Sequence, residues 1–153
     1  MSIDREIAHA KTIATVVHRG QLDGDGTPVL DRLAITVSLL QDFEDPVLPC
    51  TAWLQYVPSA ARISGRDLLR LGVSRDIVTL VQTLQPVGDE TEAAMVRRIG
   101  RSTNPAAALV KLASRLVLSG GRMPLSGTET GLSRAAGGFS ALVLTRAREH
   151  FSR

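Results

Sequence analysis

The side chains able to do chemistry in this 153-residue chain are few, and they fall into small groups. His18 and Gln21 stand three apart, just before the turn-rich "GDGTP" of Gly24–Pro28, and Arg32 follows. Such a pair either contacts a ligand or ties a helix end to the turn after it. The stretch "TAWLQYVPSA", Thr51–Ala60, starts like a metal-binding helix but supplies no His, Asp or Glu. Its Tyr56 has a ring that can stack on a base or fill space, and an O–H that can donate. In "KLASRL", Lys111 and Arg115 lie four apart and share a helix face, at the edge of a pocket or in solvent. Acid–base chemistry without a metal needs proton carriers within reach of a substrate, and the set available is His18, Tyr56, Ser59 and Ser114. Cys50 is alone, so it forms no internal disulfide, and no base beside it would generate a thiolate. A structural role is expected for it and for Trp53, and surface positions for His9 and His150.

These residues must be positioned by helices. Ser2 caps a first helix whose apolar face is Ile7, Ala10, Ile13, Ala14 and Val17, and the helix stops near His18–Gly20. A second helix presents Leu33, Val37 and Leu40. Pro46 starts a third, which Pro58 interrupts. Ser64 with Asp67 three residues on opens a short helix that Gly72 closes, and Ser74–Pro86 repeats that grammar. Asp89 with Glu92 opens a helix through Met95 and Ile99. Asn104 and Pro105 begin the most regular helix, ended by Gly120–Gly121. Residues 121–138 read as a Gly/Ser-rich, mobile connection, before a last helix over Phe139–Phe151. No period-two strand pattern and no repeat is present.

Composition agrees with a helical domain. Hydrophobic residues make up 44% and aromatics 3%, so the core must be aliphatic. The net charge is +3 and nearly all of the cations are Arg, Lys occurring only at Lys11 and Lys111. Arg suits phosphate recognition, but these arginines are scattered along the sequence without interleaved aromatics, so nucleic acid is disfavoured. No basic-then-apolar leader opens the chain, and no apolar run nears the roughly 18 residues of a membrane span, so a cytoplasmic protein off the membrane is expected.

Three segments, in order, resemble the hydrolase-type HD domain of RelA/SpoT homologues, which includes the small alarmone hydrolases. In "HRGQLDGDGTPVLDRL", His18, Gly20, Gln21, Gly26 and Pro28 fall on the family's first motif. "AWLQYVPSA" followed by "LLRLGVSRDIVTLVQTL" is similar to the second, and "KLASRL" to the third. The resemblance covers roughly Asp4 to Leu118. It implies an all-α, compact HD-like bundle of about seven to eight helices: a core over 1–120, a connection over 121–138, and a C-terminal helix over 139–153 packing on or extending that domain.

The resemblance also implies a divalent metal, and the positions that bind it in the family are here Arg32, Gln55, Tyr56 and Ser114. The family's water-activating acidic pair falls on Ser59 and Ala60. Arg32 has no lone pair to give. At about 4 Å from a doubly charged ion it would cost roughly 8 kcal/mol at a surface-like dielectric. Where the family holds polyphosphate with basic residues, this chain has Leu22, Asp23, Gly24 and Asp25. The expectation is an emptied site on a kept scaffold: no metal, no cofactor, no catalysis, and a role as a binding or regulatory module. Its partner would be another protein, a second copy, or a small phosphorylated ligand. The alternative is a nucleotide or alarmone sensor using Arg32, Lys111 and Arg115 as phosphate contacts. Behind both stand a metal-dependent (p)ppGpp-type phosphohydrolase and a metal-free enzyme.

Overall fold

The structure, a computed structural model, describes residues 2–122 and 127–153. Among these residues all regular structure is helical apart from an isolated bridge between Leu22 and Pro28. The chain divides into two compact units, Met1–Gln85 and Pro86–Arg153.

The first unit is built around α3 (Val47–Leu54), in which every residue from Leu48 to Leu54 is buried. A helix this apolar on all sides needs neighbours all round it. They are α1 (Ile3–Val17), α2 (Val29–Ser38) and α6 (Arg75–Thr83); α4 (Val57–Ala61) packs on α1, and α5 (Gly65–Arg70) on α6. Ser2 caps α1 by accepting from the Arg5 N–H, and Ala10, Ile13 and Ala14 are its buried face. Pro58 belongs to the first turn of α4, where its missing N–H costs nothing, so it restarts a helix after the break at Gln55–Tyr56.

The second unit centres on α8 (Pro105–Leu118), capped by the Asn104 side chain accepting from the Ala107 N–H. Helix α7 (Glu92–Arg101) is capped by Thr91, which accepts from the Ala94 N–H; Asp89, expected in that role, lies outside the helix. The expected connection over 121–138 holds a helix, α9 (Gly127–Ala136), whose Leu132 is fully buried; residues 123–126 of that stretch lie outside the described residues. Helix α9 packs on α7 and α8, and α10 (Phe139–Phe151) on α8 and α9. The crossing of α7 and α9 is close: a Cβ on Gly100 would lie 3.0 Å from the carbonyl carbon of Gly131. Space rather than dihedral angle therefore favours glycine at Gly100.

Candidate functional site

In the first unit, α1 ends where the His18 N–H donates to the Ala14 carbonyl at 2.9 Å, and Gly20 turns the chain at a φ of +74°. His18 is 1% exposed; its Nδ1 lies 2.6 Å from Oε1 of Gln21, while Nε2 is buried without a partner. This pair forms a tie between the helix end and the turn. Thr51, on α3, has a second buried and unpartnered atom in its hydroxyl oxygen.

The loop after Gln21 is built by Asp23. Its backbone N–H donates to the Thr27 carbonyl at 2.8 Å, and its Oδ1 accepts from the N–H groups of Asp25 and Thr27 at 3.1 Å. This leaves Oδ2 for Arg32, whose Nε donates to it; the same guanidinium pairs with Asp25 and donates to the Thr27 hydroxyl at 3.4 Å. Hydrogen bonds to Asp23, then to Asp25, raise the Arg32 pKa beyond its already high value. The two acids that stand where the family has basic residues thus act first on Arg32, and a phosphate there would have to displace both.

Gln55 is 3% exposed and donates through Nε2 to the Ala52 carbonyl at 3.2 Å, while its own carbonyl accepts from Nε2 of Gln85 at 2.7 Å. Tyr56 is 36% exposed, so it does not plug a cavity. Ser59 and Ala60 are exposed as well. Cys50 is fully buried, and desolvation, reinforced by Glu6 and Asp45, pushes its thiol up to about 12, consistent with an unreactive role.

In the second unit, Lys111 is 3% exposed, and its Nζ lies 2.6 Å from Oε1 of Glu92; Arg115 reaches the same oxygen at 3.8 Å. Ser114, between them on α8, is also buried. Where a pocket edge or a solvated face was expected, these residues form a partly buried ion-pair cluster. Glu92 was legible in sequence as a helix opener; its pairing across 19 residues was not.

The metal implied by the resemblance does not fit these residues. A Mn- or Mg-type ion takes carboxylate oxygens and imidazole nitrogens. Arg32 is a cation closed by two carboxylates, Gln55 a neutral amide, Tyr56 a surface phenol and Ser114 a hydroxyl. Among the described residues no group of three His, Cys, Asp or Glu could hold an ion.

No protein-family model matches the chain, and no curated protein matches it. Among solved structures it superposes on a metazoan ortholog of SpoT, described as hydrolysing ppGpp and playing a role in starvation responses. The TM-score is 0.72 at 18% identity, covering 96% of this chain and 94% of that one. The fold is all-α and HD-like. At that identity the likeness is one of fold. Among the described residues no helix is long and apolar enough to cross a membrane.

Proposed function

We propose that this chain is a non-hydrolytic HD-fold protein of the cytoplasm that works as a binding or regulatory module. The observation that supports the reading best is the engagement of Arg32. At a position where the resemblance implies a metal ligand stands a cation, neutralised by Asp23 and Asp25 of its own unit. The buried amide of Gln55 is likewise committed to backbone, so neither residue offers the charge a divalent ion requires.

The nucleotide-sensor reading keeps its support from the fold shared with a protein described as hydrolysing ppGpp. It requires Arg32, Lys111 and Arg115 to exchange carboxylate partners for phosphates, which costs part of any binding energy.

One experiment separates the readings: ppGpp turnover and thermal melting, each with and without Mn²⁺. The expected result is no pyrophosphate release and a melting curve unmoved by the metal. A ligand present at 100 times its dissociation constant adds about 2.7 kcal/mol of stability, which a melting curve resolves. Stabilisation by ppGpp alone, abolished by Arg32→Ala, would establish the sensor instead. Mn²⁺-dependent turnover would sink both.

A further inference from the structure

Within the first unit, charge is distributed unevenly along the chain. Residues 1–61 carry four cations against eight acids, a net −4, whereas residues 62–76 carry four arginines against two aspartates, a net +2. The basic segment is the α4–α5–α6 turn region, and Arg62, Arg66, Arg70 and Arg75 are all exposed on it. Its two acids offset them only in part. Asp67 is engaged by the Ser64 backbone and hydroxyl in a capping box and meets Arg70 only at 3.6 Å, in solvent; Asp76 lies in the first turn of α6. Between the arginines stand two exposed apolar side chains, Leu69 at 39% and Leu71 at 48%.

The element carrying these groups is unusually well anchored for six residues. The capping box fixes its start. Gly72, at a φ of +90°, turns the chain so that the Val73 N–H returns to the Leu68 carbonyl at 3.1 Å. His9 of α1 donates through Nε2 to the Leu71 carbonyl at 2.6 Å, and Leu68 is fully buried beneath. Side chains held on a rigid support lose less freedom on binding than side chains on a loose one. The result is a fixed ridge of arginines flanking two leucines, suited to an acidic turn that carries an apolar residue.

The chain contains such a turn in "QDFEDP". Asp42, Glu44 and Asp45 are exposed around the half-buried Phe43, and Glu44 holds a positive φ of 51°. We propose that the α5 ridge of one copy of this chain docks on the Asp42–Asp45 turn of a second copy. A two-fold pairing makes the contact twice and closes a dimer; without two-fold symmetry the contact repeats head to tail. An anionic membrane fits less well, because two leucines on a six-residue helix give little insertion. The interface is independent of whether the protein hydrolyses or senses a nucleotide.

The test is charge exchange, read by sedimentation velocity on the full chain. The wild type should self-associate, and raising the salt should weaken the association because the contact is electrostatic. Arg66→Glu/Arg70→Glu sets an acidic ridge against an acidic turn and should weaken association by about tenfold or more. Asp42→Arg/Glu44→Arg sets basic against basic and should do the same; Glu44→Arg alone is the milder form, should the double change disturb the turn. Mixing the two double variants restores complementarity at both contacts, so a mixed species should form where neither variant associates alone. A wild type that is monomeric up to about 1 mM, the weak end of measurable affinity, overturns the proposal. So does self-association indifferent to both double variants, or a mixture that fails to rescue. If the monomer instead binds phosphatidylserine vesicles or polyglutamate through Arg66 and Arg70, the occupant is foreign and the proposal falls.

Discussion

Lys111 carries its ammonium into a stretch of α8 that is otherwise Ala, Leu and Val, and Oε1 of Glu92, 2.6 Å away, lies within ion-pair reach. Removing the acid strands a cation that is 3% exposed, whereas removing the cation leaves a carboxylate that is 48% exposed and can hydrate. The two deletions are therefore unequal. Glu92→Ala should cost about 3 kcal/mol, the lower end for a broken buried pair because water reaches one partner. Lys111→Met, which keeps the volume and drops the charge, should be close to neutral, because the carboxylate left behind hydrates. Urea unfolding of the two variants checks both, and equal losses would mean that the pair matters for its attraction rather than for its desolvation. This asymmetry could not be read along the chain. Lys111 and Arg115 stand four apart on any helix, but what makes them a cluster is a carboxylate from α7. In the same way the Asp23–Asp25 loop was legible as a turn, yet its bond to Arg32 depends on how α2 leaves that turn.

Elements with local punctuation were the legible part of the fold. Asn104–Pro105 and Ser64 with Asp67 depend on neighbours within a few residues, so sequence alone specifies them. Helix α9 is the converse. "GTETGLSRAA" has poor intrinsic helix propensity and reads as a connection, but burying Leu132 and Ala136, with Gly131 set close against Gly100, draws it into a helix. The α5 cap can be tested at this scale. Backbone, then hydroxyl, hydrogen bonds from Ser64 hold the Asp67 carboxyl below its ordinary 3.8. A carboxyl lowered in the folded state contributes stability above its unfolded pKa and loses it as pH falls through the folded one. Ser64→Ala should cost about 0.5–2 kcal/mol at neutral pH. That cost should shrink in acid below the ordinary carboxyl range, once Asp67 is protonated in both proteins. A cost that stays constant with pH would show that the hydroxyl caps α5 without help from the carboxylate.

At the scale of the whole molecule, each unit has its own buried centre, α3 in one and α8 in the other, and the α8 core is completed by the two helices C-terminal to it. Leu132 and Val143 are 0% exposed, Ala136 and Ala147 1%. Gly121, at a φ of +78°, is packed so tightly against Phe151 that a Cβ would come within 2.6 Å of that ring. The last two helices are thus part of the packing on α7 and α8 rather than a tail joined by a linker. A chain ending at Gly120 would expose the faces of α7 and α8 that α9 and α10 cover. It should lose more helical signal than the deleted residues account for, because a helix stripped of its apolar partners is marginal in water. Amide hydrogen exchange locates the loss. Protection should vanish across α7 and α8 while α3, whose packing partners α1, α2 and α6 all precede Pro86, keeps its own. Protection retained in α8 after the truncation would make α9 and α10 appendages to a core that is already complete.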